Sequence, residues 1–305
     1  MHTTSIVIPY YNDSLVFSKT LESISKQTVL PNEIVIIDDG SSDSLNLEKI
    51  ITKFKKNNNN IDIQYIRNIK NMNGAYSRNL GIEIANGEYI FLLDADDLWL
   101  PNHIEQSLNF IVNNDLDYIY SNVIERSENR KDHYRQVCDH LLLENSNDIL
   151  FKSTPQTSSF VLKTKSILHE KIKFDETLQR HQDYQFFLSL INSNLKGKHL
   201  NIYTSIYHMN ESLWIKKIDY YSIFYFWNLY YDKFTPRNVK KKIIYFIIIA
   251  YYDQRITRND LINLISSFPC TSKIYNHWAI KILFKCNKKS KLTKKIFLFL
   301  FSYII

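Results

Sequence analysis

Three times in the first hundred residues an apolar run breaks off into a polar loop. Ser5-Ile6-Val7-Ile8 is stopped by Pro9 and leads into Tyr10-Tyr11-Asn12. Ile34-Val35-Ile36-Ile37 ends in Asp38-Asp39-Gly40-Ser41-Ser42-Asp43. Gly87-Glu88-Tyr89-Ile90-Phe91-Leu92-Leu93 ends in Asp94-Ala95-Asp96-Asp97. Runs of this length and composition read as buried strands. Between them the apolar spacing is helical: Phe17, Leu21 and Ile24 behind a cap at Asp13 or Ser14, then Leu47, Ile50, Ile51 and Phe54. Ile61–Ile66 alternates as another strand. Asn73-Gly74 then turns the chain into a helix over Ala75–Ala85, with Asn86-Gly87 as its C-terminal cap. Repeated β-α units with near-continuous apolar strands predict an α/β domain, a parallel sheet covered on both faces.

Ligands of such sheets bind beyond the carboxyl ends of the strands. Tyr11, Asp39 and Asp94–Asp97 all fall there, and this convergence sets the acids apart from a solvated turn. Three carboxylates within four residues repel one another and call for a cation. Aspartate oxygens suit Mg²⁺ or Mn²⁺, which share their coordination with substrate phosphates. An EF-hand over Asp94–Glu105 is excluded. Leu98 stands where an oxygen ligand belongs, Trp99 takes the glycine position, and a strand precedes the loop. A dinucleotide-binding fold is excluded too, because Pro9-Tyr10-Tyr11-Asn12 replaces the glycine-rich turn. A phosphoacceptor-type signalling domain accounts for Asp38-Asp39 but not for the second acidic cluster.

Farther on, Pro101 opens a helix carrying Ile104, Leu108, Ile111 and Val112. Tyr118–Tyr120 and Ser159–Leu162 read as strands separated by a polar segment, Glu125–Arg135. After Arg180-His181-Gln182 a helix runs through Phe186, Phe187, Leu190 and Ile191. Asp183 lies in its first turn, where the helix dipole favours a carboxylate and capping alone would account for it. Residues 216–305 are helical in pattern, apolar and basic. They hold 17 Lys and Arg against 4 Asp and Glu, a net +13, whereas the rest of the 305-residue chain carries −6. Such a tail is expected to meet an anionic surface. A nucleic-acid binder using the tail would leave the N-terminal acids without a role, so a membrane is the expected partner and nucleic acid is not. Ile243–Tyr252 and Ile296–Ile305 each follow lysines. As helices they reach ~15 Å, half a bilayer core, so they lie on a membrane or pack on the body rather than span. Cys138, Cys270 and Cys286 form no C-x-x-C pair, which fits reduced thiols. Met1 leads directly into a strand without a basic-then-apolar leader, so a cytoplasmic site is expected.

Taken in order, these motifs resemble glycosyltransferase family 2, the inverting nucleotide-sugar enzymes of the GT-A fold. The resemblance is carried by Ile6–Asn12, Ser25-Lys26-Gln27-Thr28, Glu33–Asp43, Ala75-Tyr76-Ser77-Arg78-Asn79-Leu80-Gly81, Gly87–Ile90 and Leu93–Asp97. It is strongest over the first hundred residues, looser from about 105 to 210, and absent beyond Lys216. It implies a nucleotide-sugar-binding half at 1–105, an acceptor-binding half at 106–215 and a basic helical region at 216–305. It implies donor binding by Pro9, Tyr11, Asp39, Arg78, Asp94, Ala95 and Asp96, with Tyr11 and Asp39 on the base and Arg78 near the diphosphate. Asp96 and His208 would hold Mn²⁺ or Mg²⁺, and Asp183 would be the catalytic base. Gln182 stands where the family usually has a glutamate, and Tyr207 where a basic residue commonly precedes the histidine. The implied activity is metal-dependent hexosyl transfer from a UDP-sugar to a glycan or lipid-linked hydroxyl in bacterial surface polysaccharide synthesis, at the inner face of the plasma membrane. The alternative is a nucleotide-binding or acidic-pocket signalling protein without transferase activity.

Overall fold

The computed structural model describes residues 2–127, 130–209, 219–253, 256–275, 278–285 and 291–304. Cys286, Asn210 and the expected boundary at Lys216 lie outside them. The chain forms two compact units, one of Met1–Thr177 with Gln182–Lys216, the other of Leu178–His181 with Lys217–Ile305.

The first unit is built on β1 (Thr4–Tyr10), β2 (Glu33–Asp38), β3 (Asp62–Arg67) and β4 (Tyr89–Leu92), all parallel in the order β3-β2-β1-β4. Helices α1 (Ser14–Ser25), α2 (Ser44–Asn57) and α3 (Gly74–Ile84) connect them. Ile6, Ile8, Ile34, Ile36, Phe91 and Leu93 form one core with Phe17, Leu21, Ile24 and Leu47. Each side chain buried this way stabilises the fold by about 1.5–3 kcal/mol. The expected C-cap at Asn86-Gly87 is not what the glycine does. Helix α3 stops at Ala85 in extended conformation, and a Cβ on Gly87 would lie 2.5 Å from the Ser5 nitrogen. Gly87 is there because the chain crosses β1 at that distance. At the amino ends of the strands, buried Glu33 accepts hydrogen bonds from Ser5 Oγ, Gln64 Nε2 and both nitrogens of Asn86. Burial would raise its pKa, and these donors hold it below the ordinary glutamate value.

Beyond β4 the sheet continues through β5 (Leu98–Trp99), β6 (Tyr118–Ser127), β7 (Arg130–Arg135), β8 (Val161–Lys163) and β9 (Gly197–His208) in the order β4-β8-β6-β9-β5, with β7 on β6. Here only β6 and β9 pair in parallel. The segment Glu125–Arg135, expected as a polar spacer, supplies paired strand residues of β6 and β7 instead. Its charges are matched across the ladder, Glu125 to Arg135 at 2.5 Å and Arg126 to Asp132 at 2.6 Å. Helices α4 (His103–Asn113), α5 (Thr164–His169) and α6 (Gln182–Ile191) complete the unit.

The second unit contains α7 (Tyr220–Leu229), α8 (Pro236–Tyr252), α9 (Arg258–Ser266), α10 (Pro269–Tyr275), α11 (Trp278–Lys285) and α12 (Lys291–Ile304). Val239, Ile243, Ile244, Ile247, Ile248 and Tyr251 of α8 are buried. The apolar run Ile243–Tyr252 is thus largely core, whereas on α12 Ile296 and Phe299 are exposed. Among the described residues no helix is long and apolar enough to cross a membrane.

Candidate active site

The loops after β1 and β2 clasp each other. Asn12, held at φ 57°, donates its N–H to Ser41 Oγ at 3.1 Å and accepts from the Ser42 N–H at 2.8 Å. Gly40 sits at φ 73°, where a Cβ would lie 2.6 Å from the Lys70 carbonyl carbon, so this turn requires glycine. Between these constraints Asp39 is buried, and its carboxylate accepts from Asn68 Nδ2 at 2.9 Å and from the N–H groups of Met72 and Asn73 at 2.8 and 2.9 Å. A carboxylate offers about four acceptor positions, so one is left for a ligand. Tyr11 beside it is 44% exposed, its ring face open for stacking. Pro9 lies inside β1, opposite Ile37, and shapes the strand end. Asp38 and Asp43 are internal ties. Asp38 accepts from the Ser41 N–H, Ser44 Oγ and Tyr65 Oη, and Asp43 accepts from Tyr10 Oη and the Ser14 N–H.

The second acidic loop follows β4. Ala95 is pinned to α1 by its carbonyl, which accepts from Thr20 Oγ1 at 2.8 Å, and it acts as the spacer between Asp94 and Asp96. Asp97 is wholly buried. It accepts from Gln156 Nε2 at 2.7 Å, Ser158 Oγ at 2.6 Å and the His208 N–H at 3.1 Å. Burial and then the charges of Asp96 and Asp94 push its pKa well up, against those donors. Burial and then the charges of Asp94 and Asp13 push Asp96 up to about 7.

Arg78 is the cation that faces this loop. Its Nη2 meets Asp94 Oδ1 at 2.5 Å, its Nη1 donates to Gln182 Oε1 at 3.3 Å, and the guanidinium lies 5.4 Å over the Phe174 ring. Its Nε is buried without a partner. A Cβ on Gly74 would stand 2.9 Å from Nη1, so the glycine that opens α3 also makes room for the guanidinium. Gln182 receives one arm of Arg78 without adding charge. Next to it, half-buried Asp183 has its pKa raised by burial; the Tyr184 N–H and the charge of Arg78 oppose the rise and Asp94 adds to it. Arg78, Asp94 and Asp183 therefore interact as one electrostatic group.

His208 ends β9. Burial holds its imidazole below the ordinary histidine pKa, and its Nδ1 is buried without a partner. Mutually repelling carboxylates beside a neutral imidazole with an unused nitrogen fit a divalent cation. Among the described residues no three such side chains are gathered to enclose one unaided.

Of the residues singled out by sequence, Asp94, Asp96 and Asp183 interact with Arg78, His208 meets the same acidic loop through Asp97, and Tyr11 and Asp39 lie at the ends of neighbouring strands. Sequence reasoning missed Gln156 and Ser158, which hold Asp97, and Asn68, which holds Asp39. It also gave no role to Tyr207. Burial first, then the charges of Asp97, Asp96, Asp94 and Asp183, push that phenol up to about 12. Its position next to His208 was the available signal.

The family model described as "Glycosyl transferase family 2" matches residues 5–188. The chain belongs to glycosyltransferase family 2. Among its relatives is the amylovoran biosynthesis glycosyltransferase AmsB of Erwinia amylovora, 32% identical over 190 residues, 59% of this chain and 61% of that protein. The UDP-Glc:alpha-D-GlcNAc-diphosphoundecaprenol beta-1,3-glucosyltransferase WfgD of Escherichia coli is 25% identical over 223 residues, 69% of this chain and 79% of that protein. The chain thus spans less than two thirds of AmsB. S. aureus TarS 1–349 in complex with UDP shares the fold at a TM-score of 0.64 and 16% identity, over 90% of this chain and 81% of that one. The family's GT-A-like architecture is therefore the architecture of this chain.

Asp39→Asn tests how this family 2 chain holds its first site loop. The new NH₂ group would face a donor in place of an acceptor oxygen, leaving a buried group unsatisfied at a cost of about 1–3 kcal/mol. Urea unfolding should show a loss of that size; an unchanged midpoint would contradict the role given to Asp39.

Proposed function

We propose that the chain is an inverting glycosyltransferase that moves a hexose from a UDP-sugar to a hydroxyl of a glycan or lipid-linked acceptor, in bacterial surface polysaccharide synthesis. The observation that carries this reading is the grouping of Asp94, Asp96 and Asp183 with the Arg78 guanidinium, which pairs with Asp94 and acts on the other two. Family membership, the UDP complex of TarS and the acceptor in the name of WfgD support it.

In this reading the uracil stacks on Tyr11, and its ring N–H donates to the acceptor position left on Asp39. Asp94 faces the ribose and the donor sugar. Arg78 places positive charge beside the diphosphate and orients it. Asp96 and the free nitrogen of His208 hold Mn²⁺ or Mg²⁺, which when bound supplies the charge that balances the departing nucleoside diphosphate. Asp183 takes the proton of the acceptor hydroxyl. The acceptor oxygen attacks the anomeric carbon, the bond to the diphosphate breaks, and its electron pair stays on the phosphate oxygen. A single displacement from the opposite face inverts the configuration. A raised pKa suits a general base working near neutrality.

The test is UDP release from a panel of nucleotide sugars with Mn²⁺ and candidate acceptors, for wild type and Asp183→Asn. Turnover with UDP-sugars is expected. Asp183→Asn should lower it by about 10²–10⁴-fold, the usual contribution of a general base, while UDP binding persists. Because burial raises the folded pKa of Asp183, wild-type turnover should climb with pH through an apparent pKa above the ordinary aspartate value. Binding without turnover of any nucleotide sugar would replace this reading with the non-catalytic one. Loss of UDP binding in Asp183→Asn would move the base elsewhere.

We assign peripheral attachment at the inner face of the plasma membrane to α12 rather than to the α8 run. Lys294 and Lys295 precede Ile296 and Phe299, both of which are exposed. Each lysine near an anionic surface contributes roughly 1 kcal/mol, screened by salt. Sedimentation with anionic liposomes should be lost on removing residues 291–305 or on raising salt. Binding that ignores both changes contradicts the assignment.

A further inference from the structure

Strands β5 and β9 pair antiparallel, with Trp99 opposite Ser205 and Leu98 opposite Ile206. One step further in this register sets Asp97 opposite Tyr207. The side-chain geometry agrees, since the next residue, His208, donates its N–H to Asp97 Oδ1 at 3.1 Å. On its other side β9 pairs Tyr207 with Glu125 of β6, so the backbone of Tyr207 is fixed from both flanks. Its phenol is half-buried, and Asp97, Asp96, Asp94 and Asp183 are the charges that act on it. Gln156 and Ser158 serve Asp97, and Arg78 serves Asp94. The Tyr207 hydroxyl, in contrast, makes no hydrogen bond among the described residues. It is an O–H donor held at the acidic loop and, among the described residues, committed to no acceptor.

We infer that the Tyr207 hydroxyl is a catalytic group of the transfer, donating a hydrogen bond to the phosphate oxygen that departs from the anomeric carbon. The inference rests on the transferase reading above. The β5–β9 register sets Tyr207 across from Asp97, the last acid of the loop that takes up the diphosphate in that reading, and this puts the residue on the diphosphate side rather than the acceptor side. As the carbon–oxygen bond breaks, its electron pair accumulates on that oxygen. A fixed donor there binds the transition state more tightly than the ground state. The acceptor's proton still goes to Asp183, and Tyr207 keeps its own. A neutral donor adds no further charge beside Arg78, and among the described residues the Tyr207 hydroxyl bonds no carboxylate.

The experiment compares wild type, Tyr207→Phe and protein carrying 3-fluorotyrosine at position 207. Steady-state turnover of the UDP-sugar, UDP affinity and the thermal midpoint are measured for each. Tyr207→Phe should lower kcat by about 10²-fold, the scale of one lost transition-state donor, with donor KM, UDP affinity and midpoint unchanged. The unchanged midpoint follows because the deleted hydroxyl bonds no protein group among the described residues. 3-Fluorotyrosine, a stronger donor of nearly the same shape, should raise kcat without moving KM. Full kcat in Tyr207→Phe beside an active wild type would overturn the inference alone. So would a kcat loss matched by a drop in midpoint or UDP affinity, because that marks a structural role. A wild type that binds UDP but turns over no nucleotide sugar would overturn the transferase reading, and the inference with it.

Discussion

The structure of the site depends on how three aspartates are kept together at the end of one strand. Asp94, Asp96 and Asp97 lie within four residues, and one of them is wholly buried. Their mutual repulsion is offset in three ways. Arg78 pairs with Asp94, Gln156 and Ser158 donate to Asp97, and Asp96 sits at a raised pKa of about 7. The loop is thus held with an excess of acid that an added cation relieves. In the proposed mechanism a diphosphate brought in with that cation completes the balance. The same arithmetic explains Gln182. A second carboxylate on Arg78 would spend the guanidinium on the protein, whereas the amide orients it and leaves its charge for the ligand.

Precision at this edge comes from close backbone approaches behind it. Gly40 lets the Asp39 loop meet Lys70, Gly74 admits the Arg78 guanidinium, and Gly81 lets α3 lie on β1, where a Cβ would stand 2.4 Å from Val7 Cγ1. None of these residues touches a ligand in the proposed mechanism. Each fixes the distance between two elements that carry residues that do. Supporting a site from rigid strand ends and helix starts holds the first contacts in place before the ligand arrives.

The parallel half of the fold was legible because its strands are buried on both faces and read as unbroken apolar runs. Ile34–Ile37 and Ile90–Leu93 admit little else, and the acids that follow them mark the site. The antiparallel half was legible only in part: the expected strands Tyr118–Tyr120 and Ser159–Leu162 fall at β6 and β8, but their extent and their partners did not show, for the converse reason. Tyr118–Ser127 mixes Tyr, Ser, Asn, Glu and Arg along one strand, and Gly197–His208 pairs with residues about eighty positions earlier. Glu125–Arg135 reads in sequence as a polar segment because its charges find their partners across the β6–β7 ladder. Gln156 and Ser158 were invisible as site residues, since an amide and a hydroxyl become informative only when the carboxylate they serve is known. Asp183 was legible as an acid at a helix start. Its coupling to Arg78 was not, because about a hundred residues separate them in the chain.

The central claim is that the acidic loop takes up a nucleoside diphosphate only together with a divalent cation. Calorimetric titration of UDP into the full chain, with Mn²⁺ and then in EDTA, tests it most directly. The account predicts clear binding with Mn²⁺ and a large loss without it, because the uncompensated carboxylates repel the diphosphate. Equal affinity in EDTA would contradict the account and leave Arg78 as the whole of the diphosphate site.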